Sequence, residues 1–400
     1  MSRKIEYLDG LRGTAACIVV SAHIFQVFMP SVFEGRADIA HFAFETFASR
    51  TPLNLLFNGN FSVCLFFVLS GYVLSYRYFH TKRNAIIYSG AAKRYFRLAV
   101  PAFVSVLLAF AVMRLGLGYF DEVSGITRSS MIDPYDADPG ALSMVREAFY
   151  HTFFTYGFQY NPVLWTMTYE LFGSFMIFGF LLLLGKFRIR YLAYAALIWY
   201  FADSYYLGFV LGLLLSDLRN SGRMGALQRL NRPWVNVPLV LAGVYFGSYP
   251  YAGTEGTVYE VLALPVANVN LFVFYHIVGS FLLMIALLNS GSMQRLFGSR
   301  LFAYLGKISF SLYLVHFTII CSFSSFLLLQ LRDVLSYGHN LLLTTLASVV
   351  IIFVTAHLMY RFVDAKTVET LSRWSGRRFG RERRRGQELE LESRKVLNAE

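Results

Sequence analysis

Charge and cysteine are what this chain has least of. Charged residues fill 15% of the 400 positions, against about a quarter in ordinary soluble domains. That scarcity excludes a disordered polyelectrolyte and a water-soluble globule of this size. Cys17, Cys64 and Cys321 are the only cysteines. They stand in apolar runs with no CxxC or Cys/His spacing, so neither a disulfide framework nor a zinc site is expected. A glycine-rich phosphate loop, a G-x-S-x-G elbow, an H-E-x-x-H helix and carboxylates paired at metal spacing are also missing, and no metal is expected. No repeat is long enough to suggest a solenoid or two duplicated halves.

What the chain has in excess is apolar side chain: 56% hydrophobic residues and 17% aromatic. Stretches of about 20 apolar residues read as membrane-spanning helices, because 1.5 Å of rise per residue then crosses the hydrocarbon layer. About ten such stretches are visible, at 8–28, 57–76, 98–117, 162–185, 191–200, 204–216, 235–249, 271–289, 308–331 and 340–360. The pair flanking Asp203 is short, and reads as a tight hairpin or one broken helix. A shorter piece, 148–158, is expected at the interface or as a re-entrant segment. The expected fold is therefore all-α, a polytopic integral membrane protein embedded in lipid. A signal peptide is not expected, since Asp9, Arg12 and His23 interrupt the first apolar run and no A-x-A-like site follows.

The formal charge of +12 is sided. Basic residues fill alternate connections: Arg77, Lys82, Arg83, Lys93, Arg94 and Arg97, then Lys186, Arg188 and Arg190, then Arg219, Arg223, Arg229 and Arg232, then Arg295, Arg300 and Lys307. The others carry acids, among them Glu34, Asp38, Glu45, Asp121, Glu122, Asp133, Asp136, Asp138, Glu255 and Glu260. Cations mark the cytoplasmic ends of membrane helices, so both termini are expected in the cytoplasm. The domain division expected is a transmembrane unit over 1–363 and a disordered tail over 364–400, polybasic and then acidic. The tail's cations read as attraction to anionic lipid and not as nucleic-acid binding.

Ionisable groups inside membrane helices are costly and mark candidate function. Arg12 and His23 are eleven residues apart on the first helix, which puts them on one face about 16 Å apart along the axis. Together with Asp9 they read as one wall of a polar cavity. Headgroup snorkelling by Arg12 and a helix-to-helix hydrogen bond by His23 would account for them equally well. Glu170 could pair with a buried cation or hold a hydroxyl. Ser309, Tyr313 and His316 share a helix face, and interhelical hydrogen bonding explains that face about as well as catalysis does. Arg94 and Arg97, three apart before Pro101, suit a bidentate grip on phosphate, with Lys93 beside them.

Taken together, these blocks resemble the acyltransferase-3 family of polytopic membrane acyltransferases. The resemblance runs from Tyr7 to Val363. It is carried by Tyr7-Leu8-Asp9-Gly10-Leu11-Arg12-Gly13 leading to His23, Phe66-Phe67-Val68-Leu69-Ser70-Gly71-Tyr72, Arg94-x-x-Arg97-Leu98 with Pro101, Leu164-Trp165 through Glu170, and Ile308 through His316. Leu171 stands where the family often has a second acid, which excludes a two-carboxylate role. The resemblance implies transfer of an acyl group, often acetyl, from cytoplasmic acyl-CoA to a hydroxyl of a carbohydrate or related acceptor. The donor is then a co-substrate and not a resident cofactor. On this reading His23 is the general base, Asp9 or Arg12 orients the site, Glu170 binds the acceptor, and Lys93, Arg94 and Arg97 hold the CoA phosphates. Ser309, Tyr313, His316 and Trp165 contact substrate. The partners expected are acyl-CoA, a glycan or glycolipid acceptor and the bilayer, with no nucleic acid, and the location is the plasma membrane. The competing class is a transporter using Arg12, His23 and Glu170 as a relay. It would call for inverted repeats, and none is visible.

Overall fold

A computed structural model describes residues 6–135, 140–221, 232–264 and 269–378. Every regular element among them is helical. The principal helices are α1 (Glu6–Phe28), α2 (Gly59–Thr81), α3 (Ala85–Arg114), α4 (Trp165–Leu183), α5 (Arg190–Tyr200), α6 (Tyr206–Asn220), α7 (Pro233–Gly247), α8 (Leu271–Asn289), α9 (Arg300–Ile319) and α10 (Tyr337–Met359).

Seven of the ten apolar stretches lie in helices long and apolar enough to cross a membrane, those of α1 to α4 and α8 to α10. The other three form α5, α6 and α7, of 11, 15 and 15 residues. At 1.5 Å per residue these reach only about 16 to 22 Å, short of a hydrocarbon layer of about 30 Å. The segments flanking Asp203 are thus two short helices. The 148–158 piece lies in a broken run, Ala141–Arg146, a π-helical turn Glu147–His151 and Thr152–Phe154, too short to span.

Two helices extend beyond their apolar stretch. α3 starts at Ala85, so Arg94 and Arg97 lie inside a 30-residue helix that continues through Pro101, and not on a separate interfacial helix. α10 continues through a π-helical turn, Tyr360–Asp364, as far as Arg378. The residues just after 363 are therefore helical where the sequence suggests a disordered tail. Arg381, Arg383, Arg384 and Arg385, the acids that follow them, and Asp136, Asp138, Arg223 and Arg229 lie outside the described residues.

The bundle is sorted by polarity as lipid demands. On α10, Leu342, Leu346, Val350, Val354 and Leu358 recur every fourth residue and are exposed. Asn340, Thr344 and Ser348, on the opposite face, are buried. Asn340 donates from Nδ2 to the Leu328 carbonyl at 2.8 Å, and Ser348 donates to Ser324 Oγ at 2.6 Å. Lipid chains compete for apolar faces but offer no hydrogen bonds, so the polar stripe turns inward.

Close approach of backbones fixes the two crossings that frame the interior. A Cβ on Gly13 would lie 2.5 Å from the Gly306 nitrogen, and one on Gly306 would lie 2.3 Å from the Asp9 carbonyl oxygen. That contact holds α1 against α9. Between α2 and α6, a Cβ on Gly71 would lie 2.3 Å from the Phe209 oxygen and one on Gly212 would lie 2.1 Å from the Val68 oxygen. Only glycine permits such contacts.

Candidate active site

The glycine crossing of α1 and α9 sets the amino-terminal turns of α1 beside Gly306, Ser309 and Tyr313. The middle of α2, the first half of α3, the start of α4 and the continuation of α10 complete a cavity of about 640 Å³. Five cations (Arg12, Lys93, Arg94, Arg97 and Lys307) and three carboxylates (Asp9, Glu170 and Asp364) line it. Such a concentration of charge in an otherwise apolar bundle is expensive unless the charges are paired or meet a ligand.

Two pairs are made within the wall. Arg12 Nη1 donates to Asp9 Oδ1 at 3.0 Å, one turn away on the same helix. Arg94 on α3 forms an ion pair with Glu170 on α4, and its Nε donates to Ser174 Oγ at 2.6 Å. Ser70 on α2 donates to the other Glu170 oxygen at 2.7 Å. Glu170 is therefore held by α2 and α3 together, and Arg94 is committed to it instead of standing free beside Arg97. Lys93 donates from Nζ to Ser375 Oγ at 3.1 Å.

The floor of the cavity is built from Thr166 and Tyr313. The Tyr313 hydroxyl donates to the Val163 carbonyl at 2.6 Å and lies 2.8 Å from Thr166 Oγ1, so α4 and α9 are joined there. Ser309 lines the wall, its hydroxyl donating to the Gly306 carbonyl at 3.0 Å. Trp165 stands apart from the cavity, in an aromatic cluster with Tyr169 and Tyr205, its ring 5.1 Å from that of Tyr205.

His23 is not in the cavity lining. It meets His316, whose Nε2 lies 3.0 Å from His23 Nδ1. His316 is fully buried. Its Nδ1 is 3.0 Å from the Leu312 carbonyl, and His23 Nδ1 is 3.0 Å from the Val19 carbonyl. Carbonyls only accept, so each Nδ1 carries the hydrogen in the neutral rings. His316 Nε2 is then a lone-pair acceptor for His23 Nδ1–H, and the lone pair of His23 falls on Nε2, assigned from this network. The Tyr313 ring lies 6.0 Å from that of His316. Since residues 313 and 316 are three apart, the imidazole pair sits about 4.5 Å beyond the cavity floor along α9.

At the other end of α1 a second depression, of about 490 Å³, includes Gln26, Glu34, Ser130 and Tyr251. Tyr251 stacks on Phe33 at 4.5 Å. Gln26 is one turn beyond His23, so the histidine pair lies between the two hollows.

This arrangement has a known sequence context. An acyltransferase-domain family matches residues 5–360. The chain belongs to that family. Among its relatives, the acyltransferase is similar to Acyltransferase R4 of a Phoma species, 25% identical over 79% of this chain and 83% of that protein. Acyltransferase clz18 of Cochliobolus lunatus is 24% identical over the same shares, 79% and 83%. The O-acetyltransferase PaAT-1 of Phomopsis amygdali is 23% identical over 98% of this chain and 89% of its own length. No solved structure matches this chain. The protein is thus an integral membrane acyltransferase.

Of the sequence candidates in the acyltransferase, Asp9, Arg12, Glu170, Lys93, Arg94, Arg97, Ser309 and Tyr313 meet in the one cavity. His23 and His316 meet each other beyond it. Ser70, Ser174, Lys307 and Asp364 are additions. Ser70 is visible in the sequence as the polar member of the Phe66-to-Tyr72 block. Asp364 leaves no such signal, because it falls where the apolar pattern ends.

Proposed function

We propose that the protein is an O-acyltransferase that moves an acyl group, acetyl above all, from cytoplasmic acyl-CoA to a hydroxyl of a carbohydrate or related acceptor. The observation that carries this reading is the placement of an imidazole pair just beyond the floor of a cation-lined cavity, in a member of an acyltransferase family. The name of the Phomopsis relative, an O-acetyltransferase, favours acetyl and a hydroxyl acceptor. The basic connections support a cytoplasmic mouth for the cavity, where CoA is found. Both termini on that side require an odd number of α5, α6 and α7 to cross besides the seven long helices, and the plasma membrane is the location we propose.

Arg97 and Lys93 take phosphate oxygens of the donor at the mouth. Its pantetheine arm runs past Arg12 to Tyr313, bringing the thioester next to the histidine pair. The acceptor enters from the Gln26 end. His23 Nε2 takes the proton of its hydroxyl as the oxygen attacks the thioester carbonyl. The tetrahedral adduct then expels the CoA thiolate, and His23 returns the proton to sulfur. The Val19 carbonyl and His316 Nε2 share the His23 Nδ1–H, which keeps the lone pair on Nε2, and His316 orients the ring. Arg94 neutralises Glu170, which leaves a hydrogen-bonded carboxylate to fix α2, α3 and α4 around the arm.

The test is transfer of label from acetyl-CoA in purified membranes supplied with cell-envelope glycans and lipids. His23→Ala is expected to lower transfer by about two to four orders of magnitude, the range for a lost general base. Unchanged transfer would remove His23 from that role.

A further inference from the structure

The acyltransferase family match ends at residue 360, yet the cavity does not. Tyr360, Asp364, Ala365 and Val368 line it. They come from the π-helical turn Tyr360–Asp364 and the helix that continues to Arg378. Lys93 reaches across from α3 to Ser375 and ties this helix to the mouth.

Counting the charges of the wall isolates what a ligand must supply. Arg12 is paired with Asp9 and Arg94 with Glu170. Lys93, Arg97 and Lys307 are left as cations and Asp364 as the remaining carboxylate. Asp364 is 5% exposed, and its Oδ1 has no hydrogen-bond partner among the described residues. Arg97 acts on this carboxylate through its charge, but no N–H or O–H of the described residues reaches Oδ1, which leaves a buried acceptor open to a donor group. The ligand that satisfies both halves carries several negative charges and, near them, an N–H or O–H donor. A nucleotide has that chemistry: its phosphates suit the three cations, and its base amino group or ribose hydroxyl suits Asp364. Phosphopantetheine also has a hydroxyl and amide N–H groups, but it brings one phosphate to three cations, so only the nucleotide meets the whole charge and places a donor among its own phosphates.

We propose that the helix beyond residue 360 is the nucleotide-binding wall of the donor site, with Asp364 accepting a hydrogen bond from the adenosine part of the acyl donor. The inference rests on acyl-CoA as donor.

The test uses the full-length protein in detergent, with calorimetric binding of CoA and of 4′-phosphopantetheine. Asp364→Leu removes the acceptor at similar volume. If the carboxylate acted only through its charge, its loss would tighten binding of a polyanion. The proposal expects the reverse: CoA binding weaker by about tenfold, as for a lost hydrogen bond to a charged group, with phosphopantetheine binding unchanged. Equal or tighter CoA binding by Asp364→Leu, or an equal loss for both probes, overturns the assignment. Val368→Trp fills the same wall from the next turn and gives an independent reading should Asp364→Leu not fold. It is expected to weaken CoA at least fivefold more than phosphopantetheine, and equal effects on the two again overturn the proposal. A wild-type protein that binds phosphopantetheine but not CoA also overturns it. Wild-type protein that binds neither probe removes acyl-CoA as donor, a failure of the reading on which the inference rests.

Discussion

Arg94 of α3 and Glu170 of α4 form an ion pair across the wall of the cavity, with side chains only 12% and 13% exposed. Ser174 and Ser70 complete their hydrogen bonding. At that burial the two charges depend on each other more than on water, and removing one strands the other.

Arg94→Met should therefore lower stability by about 3–5 kcal/mol, the range for a broken buried pair, and Glu170→Leu should do much the same. The double variant should regain most of that loss, because no lone charge remains. Thermal unfolding in detergent reads the cycle. Additive losses would mean that the two residues do not act as a pair. Activity is expected to stay low in all three variants.

The contact between His316 Nε2 and His23 Nδ1 makes a second prediction, about positioning. His316→Ala leaves the Val19 carbonyl as the one acceptor at His23 Nδ1 and removes the ring that orients His23, so transfer should fall about tenfold to a hundredfold, less than for His23→Ala. Gln offers a carbonyl oxygen at similar reach, so His316→Gln should recover part of the loss. Initial rates with labelled acetyl-CoA decide it. Equal rates for the Ala and Gln variants would reduce His316 to packing.

How far the sequence reveals this arrangement depends on what kind of signal each residue leaves. A charge or an imidazole inside an apolar run is conspicuous, which is why Arg12, His23, Glu170 and His316 stand out in the sequence. Partner choice is not, because Arg94 meets Glu170 76 residues away through the packing of α3 on α4. Hydropathy also measures contact with lipid and not helix length. Hence the start of α3 and the continuation of α10 read as connection and tail, and Asp364 is hidden with them. The short helices α5, α6 and α7 are the opposite case, apolar enough to suggest full spans but shorter than the hydrocarbon layer is thick.

The backbone contact of Gly306 with Asp9 holds the mouth of the cavity in shape. A methyl group there would stand 2.3 Å from a carbonyl oxygen on a rigid helix. Gly306→Ala should push α9 from α1 and cost roughly 1–3 kcal/mol, as overpacking does. Gly179 in α4 is the control. A Cβ there meets nothing within 4 Å, so Gly179→Ala should be neutral or stabilise by up to about 1 kcal/mol through helix propensity. Melting temperatures of the two variants in one detergent test the contrast, and a matching response would show that the α1–α9 crossing carries no special constraint.

The sidedness of the protein can be checked without any knowledge of its substrate. Lys82 caps the carboxyl end of α2, and its backbone N–H donates to the Tyr78 carbonyl. The residue is exposed. Ser130 is exposed as well, beside Glu34 in the hollow at the far end of α1. Lys82 stands at the carboxyl end of α2, whereas Ser130 lies beyond the carboxyl end of α1, the helix that carries both Arg12 and His23. The orientation proposed above puts the basic connection containing Lys82 in the cytoplasm and the Ser130 connection outside. In a background carrying Cys17→Ser, with Cys64 and Cys321 buried, a membrane-impermeant maleimide applied to intact cells should label Ser130→Cys. Lys82→Cys should react only after the membrane is opened. The opposite pattern would turn the molecule over, put the cation-lined cavity on the side without CoA, and remove the cytoplasmic donor from the mechanism.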